Sequence, residues 1–83
     1  MKHELFSRVA LAKDLPEENL RRGDTAIVVE YYEGRPGQEP GYELEVSNAV
    51  GDTITVVTVR QSQIEALRKD EILSVRPLAS AAA

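Results

Sequence analysis

The sequence predicts an all-β fold of five short strands, and three observations lead to this prediction. Apolar and polar residues alternate strictly over Tyr42–Ser47, which is the pattern of a strand with one buried face. Residues Thr25–Tyr32 are rich in β-branched and aromatic side chains, which favour strands. Between these two runs, residues 33–41 hold three glycines and two prolines, a density that neither a strand nor a helix tolerates.

The first element is a strand over 6–12, with Val9 and Leu11 on one face. A loop follows over 13–20. Pro16 suits the first position of one helical turn in this loop, because that position needs no backbone N–H donor. Leu15 and Leu20 are expected to fold back as apolar anchors on either side of the turn.

The centre of the chain predicts the core. Gly23 supplies turn geometry, and the second strand then runs over 25–32 with Val28 or Val29 buried. Strands over 42–47 and 53–59 are joined by a turn at Gly51-Asp52 and should pair as a hairpin. In the first of these two strands, the residues expected to face inward are Tyr42, Leu44 and Val46.

The last part of the chain predicts a short helix and a final strand. Ser62 and Glu65 have the spacing of a capping box, so we expect a helix over 63–67. A strand over 71–76 follows and ends before Pro77. Residues 1–78 are predicted to form a single domain, with residues 79–83 as a disordered tail of small side chains.

Five short strands with one helical turn before the last strand is the order of a small SH3-like barrel. Closing a sheet into a barrel lets a short chain bury one core while leaving few free strand edges. An open β-sheet that dimerises through an edge is the structural alternative.

Several short sequence blocks occur in one order along the chain. They are Phe6-x-x-Val9-Ala10-Leu11, Asp14-Leu15-Pro16-Glu17, Leu20-x-x-Gly23-Asp24, Val28-Val29-Glu30, Tyr42-Glu43-Leu44-Glu45-Val46 and Val57-Thr58-Val59. Over residues 5 to 76 they resemble a family of small, mostly bacterial proteins known as domain of unknown function 4926. The resemblance implies a small β-barrel and no particular activity. Members usually carry a glycine before the threonine-valine-valine of the second strand, where this chain has Ala26-Ile27.

The composition argues against catalysis, a cofactor or a metal. The chain has no cysteine, and its one histidine, His3, lies in a terminus expected to be mobile. Three clustered acidic residues are interpreted as capping the first helical turn rather than binding a cation, namely Asp14, Glu17 and Glu18. Glu43 and Glu45 are expected to face solvent rather than a catalytic cleft. No apolar run has the length of a membrane span, and a cytoplasmic location is expected.

The chief alternative function is a nucleic-acid-binding small barrel that takes RNA or DNA. Six basic residues that could gather near one end of the barrel are Arg21, Arg22, Arg60, Arg68, Lys69 and Arg76. The chain nevertheless carries 14 acidic residues and a net charge of -4, which repels a polyanion. A small enzyme of unknown type is the second alternative.

The favoured interpretation is a non-catalytic protein-interaction or accessory module. Neighbouring strand residues face opposite sides, so only one of Tyr31 and Tyr32 can enter the core, and the other should lie exposed beside the loop 33–41. Exposed tyrosines are enriched at the centres of protein interfaces. The predicted partner-binding residues are Tyr31, Tyr32, Arg35 and Tyr42. The expected partner is another protein, such as the second member of a small two-protein system, or a further copy of this chain.

Overall fold

The computed structural model describes residues 1–78, and within them the backbone forms five strands and no α-helix. The strands are β1 (Arg8–Leu11), β2 (Thr25–Tyr32), β3 (Gly41–Ser47), β4 (Thr53–Arg60) and β5 (Ile64–Ala66). Two three-residue 3-10 turns, Pro16–Glu18 and Gln61–Gln63, lie before β2 and β5. The all-β prediction is confirmed. The predicted tail over 79–83 lies outside the described residues.

The five strands form one antiparallel sheet in the order β4-β3-β2-β1-β5. The last strand therefore returns to the first, and Ile64 lies opposite Leu11. The sheet is not closed, because β4 and β5 remain its two edges. β2 has one residue more than β3 between two neighbouring pairs, since Val28 lies opposite Leu44 and Glu30 lies opposite Glu43. This bulge at Val29 locally increases the twist of β2.

The core covers one face of the sheet and follows the predicted alternation. Tyr42, Leu44 and Val46 are buried on β3, and Val28 is fully buried on β2 while Val29 is half-buried. The complete apolar cluster consists of Val9, Leu11, Leu20, Ala26, Val28, Tyr42, Leu44, Val46, Val57, Val59 and Ile64. The prediction that one of the two mid-strand valines enters the core is thus confirmed.

The loop before β2 is held as the sequence predicts. The Leu15 N–H donates to the Leu20 carbonyl over 2.9 Å, and Leu15 packs against the core beside the buried Leu20. Pro16 opens the 3-10 turn between them. Gly23 has a φ of +93°, the left-handed conformation expected of a glycine at this turn.

The first strand is shorter than predicted. It begins at Arg8 rather than at Phe6, because Phe6 has a φ of +65° and leaves the extended conformation. A left-handed backbone is uncommon for a bulky side chain, and here the ring is 74% exposed. The Phe6 N–H still donates to the Val28 carbonyl, so the turn stays attached to β2.

The predicted helix over 63–67 and the predicted strand over 71–76 are wrong. Ser62 does not cap a helix, because its N–H and hydroxyl both donate to the Glu39 carboxylate. Ile64–Ala66 form β5 instead and occupy the edge of β1. No strand partner for 71–76 is found within residues 1–78. This segment is held by Arg76, whose guanidinium pairs with the Asp24 carboxylate.

Candidate protein-interaction site

The loop 33–41 has a defined conformation and does more than connect β2 to β3. The Gln38 N–H donates to the Arg35 carbonyl over 2.8 Å and closes a turn. Gly34 lies so close to the next part of the loop that a Cβ there would sit 2.4 Å from the Gln38 carbonyl oxygen. Only glycine fits this position, because no real Cβ approaches a backbone oxygen to that distance.

The loop is also attached to the second 3-10 turn. The Glu39 carboxylate accepts hydrogen bonds from the Ser62 N–H at 2.7 Å and from the Ser62 hydroxyl at 2.9 Å. The Gln61 N–H donates to the Pro40 carbonyl at 2.9 Å. The backbone donor of Ser62, followed by its hydroxyl, lowers the pKa of Glu39, so the carboxylate that fixes the loop is charged near neutral pH.

Tyr31 and Tyr32 point to opposite sides of β2, as predicted. Tyr31 is half-buried and packs on the Tyr42 ring with 5.2 Å between ring centres. Tyr32 is 46% exposed on the other face. Its hydroxyl donates to Glu43 Oε2 over 2.6 Å, and this hydrogen bond is the main reason that the pKa of Tyr32 is raised. The exposed ring is therefore held in one orientation beside the start of the loop.

Tyr42 supports the loop from inside the protein and presents no surface to a partner. Its side chain is completely buried, which corrects the expectation that it contributes contact area. The hydroxyl accepts from the backbone N–H groups of Lys2 and His3, both at 3.1 Å, and donates to Gln61 Oε1 at 3.2 Å. One buried hydroxyl thus joins the N-terminus, β3 and the second 3-10 turn.

Arg35 and Tyr32 are the two predicted contact residues that the structure leaves exposed. Arg35 lies in the turn that the Gln38 N–H closes, three positions beyond Tyr32. Beside Tyr32 the charge is mainly negative, because Glu33 is exposed and Glu30 lies directly opposite Glu43 on the outer face of the sheet. Two carboxylates placed opposite each other repel, so this face favours contact with a basic surface.

His3 is buried rather than mobile, which corrects the sequence-based expectation. It is 4% exposed and packs edge-on against Tyr42 with 5.3 Å between ring centres. Its Nε2 atom is buried and has no hydrogen-bond partner within residues 1–78. Burial, and then the charge of Lys2, lower the pKa of His3. No local sequence pattern predicts that His3 is buried, because the Tyr42 hydroxyl that accepts its backbone N–H lies 39 positions away along the chain.

Some of the residues that would favour the alternative functions are bound to other parts of the protein. Asp14 Oδ1 accepts from the Arg22 N–H at 2.9 Å, and residues 1–78 contain no group of three acidic or histidine side chains placed to hold a metal ion. Of the basic residues, Arg68 pairs with Asp70 and Arg76 pairs with Asp24. No helix in the described part of the chain has the length and hydrophobicity of a membrane span.

The comparison with known families agrees with the blocks along the sequence. The family described as domain of unknown function (DUF4926) matches residues 5–66. The chain belongs to this family. The match ends at the last residue of β5, so the five-stranded sheet is the matched unit and residues 67–78 follow it. No curated protein and no solved structure matches the chain.

Proposed function

We propose that this protein is a non-catalytic interaction or accessory module that binds another protein through Tyr32, Arg35 and the loop 33–41. The observation that carries the proposal is the fixed presentation of Tyr32, whose exposed ring is held by Glu43 beside a loop that Ser62 anchors. A contact surface that is ordered before binding loses less conformational entropy when the partner arrives. Tyrosine adds a large apolar area and a polar end to such a contact.

The chemistry around this surface favours a partner with a basic face. Glu30 and Glu43 lie opposite each other near Tyr32, and Glu33 is exposed at the start of the loop. The net charge of -4 adds long-range attraction for a cationic surface. Increasing salt should therefore weaken the complex, because exposed charges are screened over about 10 Å at 0.1 M ionic strength.

For the fold, we propose that the twisted sheet forms an SH3-like barrel. The strand order supports this proposal, because β5 returns to β1 and a 3-10 turn joins β4 to β5. The bulge at Val29 supports it as well, since bulges help a long strand to bend between two layers. Membership of a small two-protein system and a cytoplasmic location remain predictions from the sequence.

The proposal is tested by affinity capture with the tagged full chain and two single variants. Tyr32→Ala should reduce the yield of the captured partner by removing contact area, and Arg35→Ala should reduce it by removing the packed stem and the hydrogen-bond donors of that side chain rather than its charge. High salt should reduce the yield further. Val50→Ala is the matched control, because Val50 is 81% exposed and lies beyond the far end of β3, about 20 Å from the loop. Point variants are cleaner than deleting residues 35–39, which would also remove Glu39 and its bonds to Ser62. If Tyr32→Ala and Arg35→Ala capture as much partner as the wild type, the proposed site is wrong.

A further inference from the structure

Residues 1–6 form an N-terminal hook that a single buried side chain holds on the sheet. Within this hook His3 is buried, and the other five residues are exposed. The His3 imidazole packs edge-on against the Tyr42 ring with 5.3 Å between ring centres. The Tyr42 hydroxyl accepts the backbone N–H groups of Lys2 and His3, both at 3.1 Å. The attachment of the hook to β3 therefore depends on one imidazole and one hydroxyl.

A tight turn connects the hook to β1. The Ser7 N–H and hydroxyl both donate to the Glu4 carbonyl, at 3.2 and 2.6 Å, and Phe6 within this turn has a φ of +65°. A left-handed backbone is unfavourable for a bulky side chain, and the Phe6 ring is 74% exposed, so its packing offsets little of this cost. The Phe6 N–H donates to the Val28 carbonyl at 2.6 Å. The residues before this hydrogen bond can leave β3 without breaking any hydrogen bond between strands.

The buried imidazole of His3 has no acceptor for a second proton. Its Nε2 atom is buried and has no hydrogen-bond partner within residues 1–78. A neutral imidazole carries a proton on one ring nitrogen, whereas an imidazolium carries an N–H on both. Protonation in place would therefore bury an unpaired N–H at Nε2 together with a positive charge. In water both N–H groups find acceptors, so the second proton favours a released hook.

The groups that face His3 do not offset this cost. Tyr42 on β3 is a phenol, and its hydroxyl donates at 3.2 Å to Gln61 of the second 3-10 turn, whose side chain is an uncharged amide. Within the hook, the Lys2 ammonium is a like charge, and the Glu4 side chain is exposed. Burial, followed by Lys2, lowers the pKa of His3. The held hook is therefore fully favoured above the usual histidine pKa of 6.5 and loses that advantage as the pH falls below it.

We propose that the N-terminal hook is a pH-sensitive switch, in which protonation of His3 releases residues 1–6 from Tyr42 while the five-stranded sheet stays folded. Release uncovers the Tyr42 ring, which is completely buried while the hook is held. The two hydrogen bonds from the hook to the Tyr42 hydroxyl are exchanged for bonds to water. A separation of about one pH unit between the pKa values of the held and the released imidazole changes the ratio of held to released hook about tenfold.

NMR spectroscopy of the full chain between about pH 7.5 and about pH 5 tests this proposal. The nuclear Overhauser contact between the His3 and Tyr42 rings should be present at the higher pH and disappear as the pH falls. Its midpoint should coincide with the titration of the His3 imidazole and lie below 6.5. The signals of Leu11 and Ile64, which lie opposite each other on β1 and β5, should keep their positions and show that the sheet is intact.

Two variants identify the group that triggers release. His3→Phe keeps a ring that can pack on Tyr42 but cannot be protonated, so this variant should keep its hook in place at about pH 5. Glu4→Gln is the matched control, because it removes an exposed carboxylate of the hook, and its hook should be released by acid as in the wild type. Three results would overturn the proposal: a hook that stays on Tyr42 after His3 is protonated, a hook that leaves at the same pH in His3→Phe, or strand signals that disappear together with the contact between His3 and Tyr42. A Glu4→Gln hook that no longer responds to acid would overturn it as well.

Discussion

The hydroxyl of Tyr42 joins three segments of the chain, and Tyr42→Phe removes that junction while keeping the shape of the ring. The N–H groups of Lys2 and His3 lose their acceptor, and Gln61 Oε1 loses its donor. A typical net contribution is about 0.5–1.5 kcal/mol per hydrogen bond, and a buried donor left unpaired costs about 1–3 kcal/mol. The two N–H···O distances of 3.1 Å lie at the long end of their normal range, and the O–H···O distance of 3.2 Å is longer than usual, so we expect a total loss of about 2 kcal/mol.

That loss is a large share of the stability available to a chain of this size. At about 0.05–0.15 kcal/mol per residue, 83 residues have about 4–12 kcal/mol in all. The melting temperature should fall by about 8–16 °C, since 1 kcal/mol corresponds to about 4–8 °C in small domains.

Urea unfolding followed by circular dichroism measures this effect directly. Tyr31→Phe is the matched control, because it removes a hydroxyl from the ring that packs on Tyr42, and that hydroxyl has no hydrogen-bond partner within residues 1–78. We expect Tyr31→Phe to unfold near the wild-type midpoint and Tyr42→Phe to unfold at clearly lower urea with an unchanged slope. Equal midpoints for the two variants would refute the view that this hydroxyl holds the N-terminus on the sheet.

Two further predictions concern His3 and Gly34. Because burial and Lys2 lower the pKa of His3 below its usual 6.5 in the folded protein, the unfolded state binds the proton more readily, and the free energy of unfolding should fall as the pH drops below 6.5. His3→Phe should remove this pH dependence of the free energy of unfolding between about pH 7.5 and about pH 5, as measured by urea unfolding at each pH. If the free energy of unfolding changes with pH equally in the wild type and in the variant, the assignment to His3 is contradicted. Gly34→Ala should destabilise the protein by about 1–3 kcal/mol in thermal melts, because the new Cβ would meet the backbone oxygens of Gln38 and Glu39 at 2.4 and 2.6 Å. Gly37→Ala is its control, with no atom within 4 Å of the added Cβ, and should lose only the cost of its left-handed φ of +83°.

The central strands could be predicted from the sequence because their pattern is local. In β2 the predicted and observed bounds are both Thr25–Tyr32, and in β3 the alternation identifies Tyr42, Leu44 and Val46 as the buried residues. A period of two residues is enough to say which side chains share a face. The exposed position of Tyr32 follows from the same rule once Tyr31 packs on the core.

In the last part of the chain, contacts with distant segments override the secondary structure that the local sequence pattern predicts. Ser62 and Glu65 have capping-box spacing, but Glu39 takes both donors of Ser62 and β1 takes Ile64–Ala66 as its neighbour. The alternation at Glu71–Arg76 would suit a strand, but the edge of β1 is already occupied, and Arg76 is bound to Asp24 instead. Both outcomes depend on contacts between segments that are far apart in the sequence.

By itself the sequence determined that this protein is built from β-strands, where the central strands lie and which of their faces is buried. Those properties follow from side-chain alternation and from the restricted backbone of glycine and proline. Only the tertiary structure decided that His3 is buried under Tyr42, that Glu39 anchors the loop to Ser62, and that β4 is left as an open edge. Each of these features depends on contacts between residues that are far apart in the chain. The spacing of residues along a sequence does not determine where such residues lie in space.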